Sequence, residues 1–149
     1  MRPDRGPVKL MPSDDQNVFR RFVEGFYATR RSFSMRRFHG WEPPTDVYES
    51  PRHIVIKVCI PGIEADQVGV QINGEVVTIC GIRKGPDPES VVAYHQMEIR
   101  NGYFERRIVI RRPFDPHGAT ANYTNGFLYV HMPKAPELVH HVMTLRISV

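Results

Sequence analysis

A chain of 149 residues with 41% apolar and 24% charged side chains has the size of one domain with extensions, and it is too apolar to remain disordered as a whole. No run approaches the roughly 20 apolar residues a spanning helix needs. The two cysteines, Cys59 and Cys80, form neither a CxxC motif nor a disulfide framework, which points to a reducing cytoplasm. The net charge of +4 is uneven. Residues 1–41 hold nine Arg/Lys and four Asp/Glu, a net +5, while residues 42–149 hold eleven and twelve, a net −1. The basic character lies in an N-terminal arm, and the near-neutral body is no nucleic-acid platform.

In chain order, residues 1–12 show no period and no apolar h-region, so no secretory signal is expected. Ser13 to Gln16 has the S-x-x-Q form of a capping box. Phe19, Phe22, Val23, Phe26 and Tyr27 follow at i, i+3, i+4, i+7 and i+8. That spacing predicts an amphipathic helix over about 14–29, too short to persist in water with its apolar face uncovered. Residues 32–40 continue the aromatic-plus-Arg composition with Phe33 and Phe38.

Pro43-Pro44 marks a boundary, because proline cannot donate to a ladder. Beyond it the pattern turns to period two. His53–Ile60 places Ile54, Ile56, Val58 and Ile60 on one face, and Val68, Val70 and Ile72 alternate again. Asn73-Gly74 and Asn125-Gly126 are hairpin signals. Strands are expected at Val76–Ile82, Tyr94–Arg100, Tyr103–Arg111, Ala119–Thr124 and Phe127–Met132, with polar loops at 83–90 and 113–118. About seven short strands with frequent turns and no crossover helices predict an all-β antiparallel sandwich or barrel. The chain ends on Leu145, Ile147 and Val149, which alternate, and such a strip is expected to dock.

Catalytic signals are absent from the sequence. No GxSxG, P-loop or GxGxxG follows a strand, and Asp46, Glu49, Glu98 and Glu105 are isolated carboxylates. The seven histidines lack zinc-ligand spacing and are expected to be exposed polar residues. Both cysteines are expected to be inert in strand cores. The reading is therefore a non-enzyme with no cofactor and no metal. The arm lacks any RNA-module signature, and its aromatics sit at helical spacing, which favours packing over base stacking.

The punctuation of the strands resembles one family. Ile60-Pro61-Gly62-Ile63 is similar to the LPGV-type turn of small heat-shock proteins, and Gly74–Gly81 (GEVVTICG) to their GxLTIxG segment. Tyr94–Glu98 followed by Gly102–Arg107 resembles the stretch along their arginine-bearing strand. Ala121, Asn125, Gly126 and Leu128 spell the signature A-x-x-x-N-G-x-L, followed by a strand and Pro133-Lys134. The resemblance covers residues 43–134 and is to the alpha-crystallin superfamily, bacterial or plant type.

That resemblance implies an immunoglobulin-like antiparallel β-sandwich over 43–134, an arm over 1–42 and a C-terminal extension over 135–149. It implies a dimer made by exchanging a segment of the long loop, about Ser90–Tyr94, onto the partner's Thr45–Glu49. Val91, Val92, Tyr94 and Val47 would then lie at the interface. Arg106 matches the family's interface arginine and would pair with a carboxylate across it. Leu145, Ile147 and Val149 resemble the I-x-I/V anchor that joins dimers into larger homo-oligomers, with Ile147 in either register. Its natural seat is an apolar groove on another subunit, between strands at about 67–73 and 119–124. The implied function is an ATP-independent holdase. Its arm (Phe19, Phe22, Val23, Phe26, Tyr27, Phe33, Phe38) holds unfolding clients for later ATP-dependent chaperones. Two alternatives stand beside it. One is a CS-type co-chaperone or interaction domain, which lacks the hairpin signature and the terminal strip. The other is a membrane-surface stabilising protein acting through the amphipathic helix.

Overall fold

The computed structural model describes residues 40–137 and 141–149. The expected helix over 14–29 and the aromatic side chains at 19–38 lie outside the described residues.

Among the described residues, period-two patterning produces nine strands in two layers. One sheet has the order β1-β2-β7-β6-β9 and the other β5-β4-β3-β8. In chain order these are β1 (Thr45–Glu49), β2 (His53–Cys59), β3 (Val68–Asn73), β4 (Val76–Arg83), β5 (Gly102–Val109), β6 (Thr120–Thr124), β7 (Phe127–Pro133), β8 (Val142–Leu145) and β9 (Ile147–Ser148). All ladders are antiparallel except the short β6–β9 pair. The alternation read from the sequence is the alternation observed. Ile54, Ile56 and Val58 of β2 and Leu128, Val130 and Met132 of β7 point inward. They meet Val70, Ile72, Val77, Ile79 and Phe104 of the facing sheet, all fully buried.

The two Asn-Gly signals mark the two tight hairpins, β3–β4 and β6–β7. Asn125 and Gly126 carry φ of 50° and 82°, the left-handed pair that a two-residue turn requires to match strand twist. The turn also packs on a second motif. The Gly126 carbonyl accepts the Ile60 amide at 2.9 Å, and the Tyr123 hydroxyl donates to the Ile60 carbonyl at 3.1 Å. The IPGI turn and the NG hairpin are thus one contact.

Three expectations need correction. Residues 94–100 form no strand; β5 begins at Gly102. The segment alternates well enough, but a strand exists only where an edge accepts its backbone donors, and residues 94–100 meet no such edge within the described residues. Second, the chain joins the sandwich before the Pro43-Pro44 pair. Trp41 bridges Phe104 in parallel, with its amide on the Tyr103 carbonyl at 3.1 Å. Third, residues 142–145 are a strand. Met143 shares the period of Leu145 and is equally buried, a signal present in the sequence and not used above.

Candidate functional site: the open edges of the sandwich

A β-sandwich leaves unpaired backbone at its edges, and these edges are where such a fold meets other chains. The edge at β1 is open. Val47 and Tyr48 on it are exposed, although Val47 shares the parity of the buried Ile56 opposite. The end of β1 is held by charge. Glu49 Oε2 accepts Lys134 Nζ at 2.7 Å and faces Arg112 Nε at 3.5 Å. The Lys134 hydrogen bond chiefly holds the Glu49 carboxyl below its ordinary range, with help from the Arg112 charge. Lys134 of the Pro-Lys motif thus ties the last strand of the hairpin to the edge. Nothing in the sequence spacing singled out Glu49 for this.

The loop of residues 84–101 joins β4 to β5 in the other sheet. A 3-10 turn at Pro88–Ser90 is capped by the Asp87 carboxylate, which accepts the Glu89 amide at 3.1 Å. Beyond it Val92 is fully exposed, and Tyr94, Met97 and Ile99 are exposed as well. Val91 is half-buried. Of the interface residues expected from the sequence, Val47, Val92 and Tyr94 are apolar and accessible and Val91 is half-buried; among the described residues the loop belongs to no strand and β1 pairs with β2 alone.

Arg106 lies on β5 between Phe104 and Ile108, so its Cβ is on the inward face. Its Nη1 donates to Glu42 Oε2 at 3.0 Å. Its Nε is buried and has no hydrogen-bond partner among the described residues. A guanidinium at the rim of an apolar interior is held by such partners or becomes costly. Here the carboxylate comes from Glu42 of the same chain.

The terminal strip occupies the groove the sequence pointed to, but on its own chain. β8 adds to β3 with Leu145 opposite Val70, and β9 adds to β6 with Ile147 opposite Ala121. Arg146 is the step between sheets. Leu145 is buried and Ile147 packs on the core, while Val149 is 84% exposed. The expectation that all three turn the same way into one groove fails at Val149. Within this chain Leu145 and Ile147 are the two residues seated, one on each sheet, because the chain changes sheet between them.

The polar chemistry also departs from expectation in places. Cys80 is buried as expected, and burial together with the Glu105 charge pushes its thiol up to about 12. Cys59, expected in a core, is only half-buried at the outward face of β2. The histidines are not all exposed. His131 is half-buried, stacked on Tyr129 at 6.2 Å and edge-on to His53 at 6.1 Å. Burial first, and then the His53 charge, hold its pKa below the ordinary value of 6.5. The folded state therefore favours neutral His131, and its stabilisation is complete above 6.5 and declines as pH falls toward the lowered folded value. The melting temperature is expected to lose this contribution on acidification below about pH 6.5, and His131→Asn is expected to flatten that slope. Circular dichroism melts across this range check it; parallel slopes would remove His131 from the account. Among the described residues no three His, Cys, Asp or Glu side chains converge on a point. No helix among them is long and apolar enough to cross a membrane.

A two-layer sandwich with an Asn-Gly hairpin on an IPGI turn, an edge strand at β1, an apolar loop between β4 and β5 and a terminal strip that crosses from one sheet to the other defines an alpha-crystallin-type domain. The sequence model of the Hsp20/alpha crystallin family matches residues 46–148, and the chain belongs to that family. It is 28% identical to small heat shock protein C2 of Rickettsia felis, over 79% of this chain and 75% of that protein. It is 31% identical to the 17.6 kDa class I heat shock protein 3 of Arabidopsis thaliana, over 69% of this chain and 66% of that one. Among solved structures it resembles hspA of Xanthomonas axonopodis, with 33% identity, TM-score 0.60, and coverage of 65% of this chain and 97% of that one. It also resembles a small heat-shock protein of Xylella fastidiosa, described as having a distinct high order structure. That likeness has 29% identity, TM-score 0.59, and coverage of 68% and 93%. The family is one of stress-response chaperones.

Proposed function

We propose that the protein is an ATP-independent holdase of the cytoplasm, which binds partly unfolded proteins and keeps them from aggregating until ATP-driven chaperones take them over. The observation that supports this reading is the accessible apolar surface the fold leaves uncovered among the described residues: Val92, Tyr94, Met97 and Ile99 on the loop, and Val47 and Tyr48 on the edge strand β1. A soluble fold that keeps such a surface has a use for it.

In this reading Ser90–Tyr94 adds as a strand to Thr45–Glu49 of a second copy, covering the open edge of each chain and making the dimer. Arg106, already at the rim of β5, exchanges or shares its carboxylate partner there. Leu145 and Ile147 anchor dimers to one another when the tail seats in a neighbour's groove instead of its own. The arm, with Phe19, Phe22, Val23, Phe26, Tyr27, Phe33 and Phe38, supplies the client surface. Arg and aromatic side chains contact many surfaces without demanding shape.

The expected result is suppression of the aggregation of a heated model client at near-stoichiometric ratio, measured by light scattering, without nucleotide. A requirement for nucleotide, or unchanged scattering, would sink the reading.

A further inference from the structure

Arg83 is the last residue of β4, and its side chain gathers three segments far apart in sequence. Nε donates to the Arg100 carbonyl oxygen at 2.8 Å, and Nη2 donates to the same oxygen. Nη1 reaches the Pro61 carbonyl at 3.4 Å. The guanidinium carbon stands 4.2 Å over the Trp41 ring centre. The indole also meets the Phe104 ring, tilted, at 5.4 Å, and its Nε1 donates to the Gly102 carbonyl at 3.4 Å. Arg83, Arg100, Pro61 and Trp41 border a cleft of about 710 Å³ that also takes in Ile99 and Pro44.

We infer that Arg83 is a latch: a positioning residue that ties the returning end of the loop at Arg100 to Trp41, so that release of the loop and release of Trp41 are one event. The physical case rests on the shape of the guanidinium. A planar fork can aim two N–H groups at one carbonyl in its plane while presenting its flat face to an aromatic ring. Neither contact interferes with the other, and losing one loosens the other. The loop it holds has no ladder of its own, since no strand lies between β4 and β5. Trp41 is where the arm of residues 1–40 enters the sandwich. A loop that withdraws removes the Arg100 oxygen from the fork and uncovers one face of the indole. Where the loop withdraws to pair with a second copy, the latch transmits dimer formation to the root of the arm. That last step rests on the strand exchange proposed above; the latch itself does not.

Trp41 is the chain's single tryptophan, so its emission reports the latch directly in the full-length protein. Arg83→Gln is expected to shift Trp41 emission to the red and raise its quenching by acrylamide about twofold. Chymotryptic cleavage after Tyr94 should quicken about fivefold, the scale of one lost cation–π contact with its hydrogen bonds. The far-UV circular dichroism should not change. Arg83→Lys keeps the charge without the fork and should move both readings the same way. Full wild-type behaviour in the lysine variant would overturn the geometry claimed. Trp41→Phe, which retains packing on Phe104, should also quicken cleavage after Tyr94. Quenching and cleavage equal to wild type in Arg83→Gln, with both chains read at a dilution where size exclusion shows the monomer, would overturn the latch. A wild-type chain that stays monomeric at all concentrations would instead overturn the strand exchange, and the quenching result would still decide the latch.

Discussion

Gly81→Ala is expected to destabilise the sandwich by about 3 kcal/mol, the upper end for forcing extra volume into a packed interior. Gly81 lies inside β4 with its missing side chain aimed at the core. An added Cβ would stand 2.4 Å from the Gln67 carbonyl oxygen and 2.6 Å from the Phe104 ring. The first obstacle is backbone and cannot rotate away. The second is a fully buried ring wedged against Trp41. Relief therefore requires β4 to part from its neighbours, which strains the ladders to β3 and β5 together. At about 4–8 °C per kcal/mol for a domain of this size, the melting temperature should fall by more than ~10 °C. Gly81→Val should leave little folded protein. A thermal melt of Gly81→Ala within a degree or two of wild type would show that the close approach is not maintained in solution.

Leu145→Ala is expected to cost about 2 kcal/mol, the low end for truncating a buried leucine. The low end applies because the loss has a ceiling. β8 is a four-residue edge strand, so once the tail undocks no further contact can be lost, and the penalty cannot exceed the free energy of docking. Undocking uncovers β3 and β6 together, so the binding of an apolar dye should rise. Ile147→Ser, at a less buried position, should have a smaller effect in the same direction, and Val149→Ser essentially none. Light scattering coupled to size exclusion tells the two seats of the tail apart. With the tail on its own chain, stability falls and assembly size holds. With the tail shared between subunits, Leu145→Ala and Ile147→Ser both shrink the assembly while the domain's melting temperature holds.

Legibility of the structure in the sequence followed the range of the interactions. The strands from His53 to Met132 were readable because burial on one face writes a period of two into the residues themselves. The Asn-Gly turns were readable because positive φ selects its own side chains. Residues 94–100 misled for the same reason in reverse: a strand pattern states readiness to pair, and pairing needs an edge that the sequence does not locate. His131 and Cys59 were misjudged because exposure on the outer face of a sheet depends on which neighbours stand across the ladder. Arg83, Glu49 and Glu42 were missed because each partner lies at a distance no spacing rule spans: Arg83 with Trp41, Glu49 with Lys134, and Glu42 with Arg106.

The sequence by itself determined the fold class, the position of the hairpins, the family through its ordered motifs, and the presence of a docking strip at the terminus. Each of these is encoded in local periodicity or in backbone angles that only certain residues tolerate. The tertiary structure alone decided which strands stand at the sheet edges, which strands the tail lies against, and which cation met which ring. Those outcomes depend on closure of the two sheets over one core. Closure brings residues from opposite ends of the domain within 3 to 4 Å, and it leaves backbone donors unpaired only where no strand remains to take them.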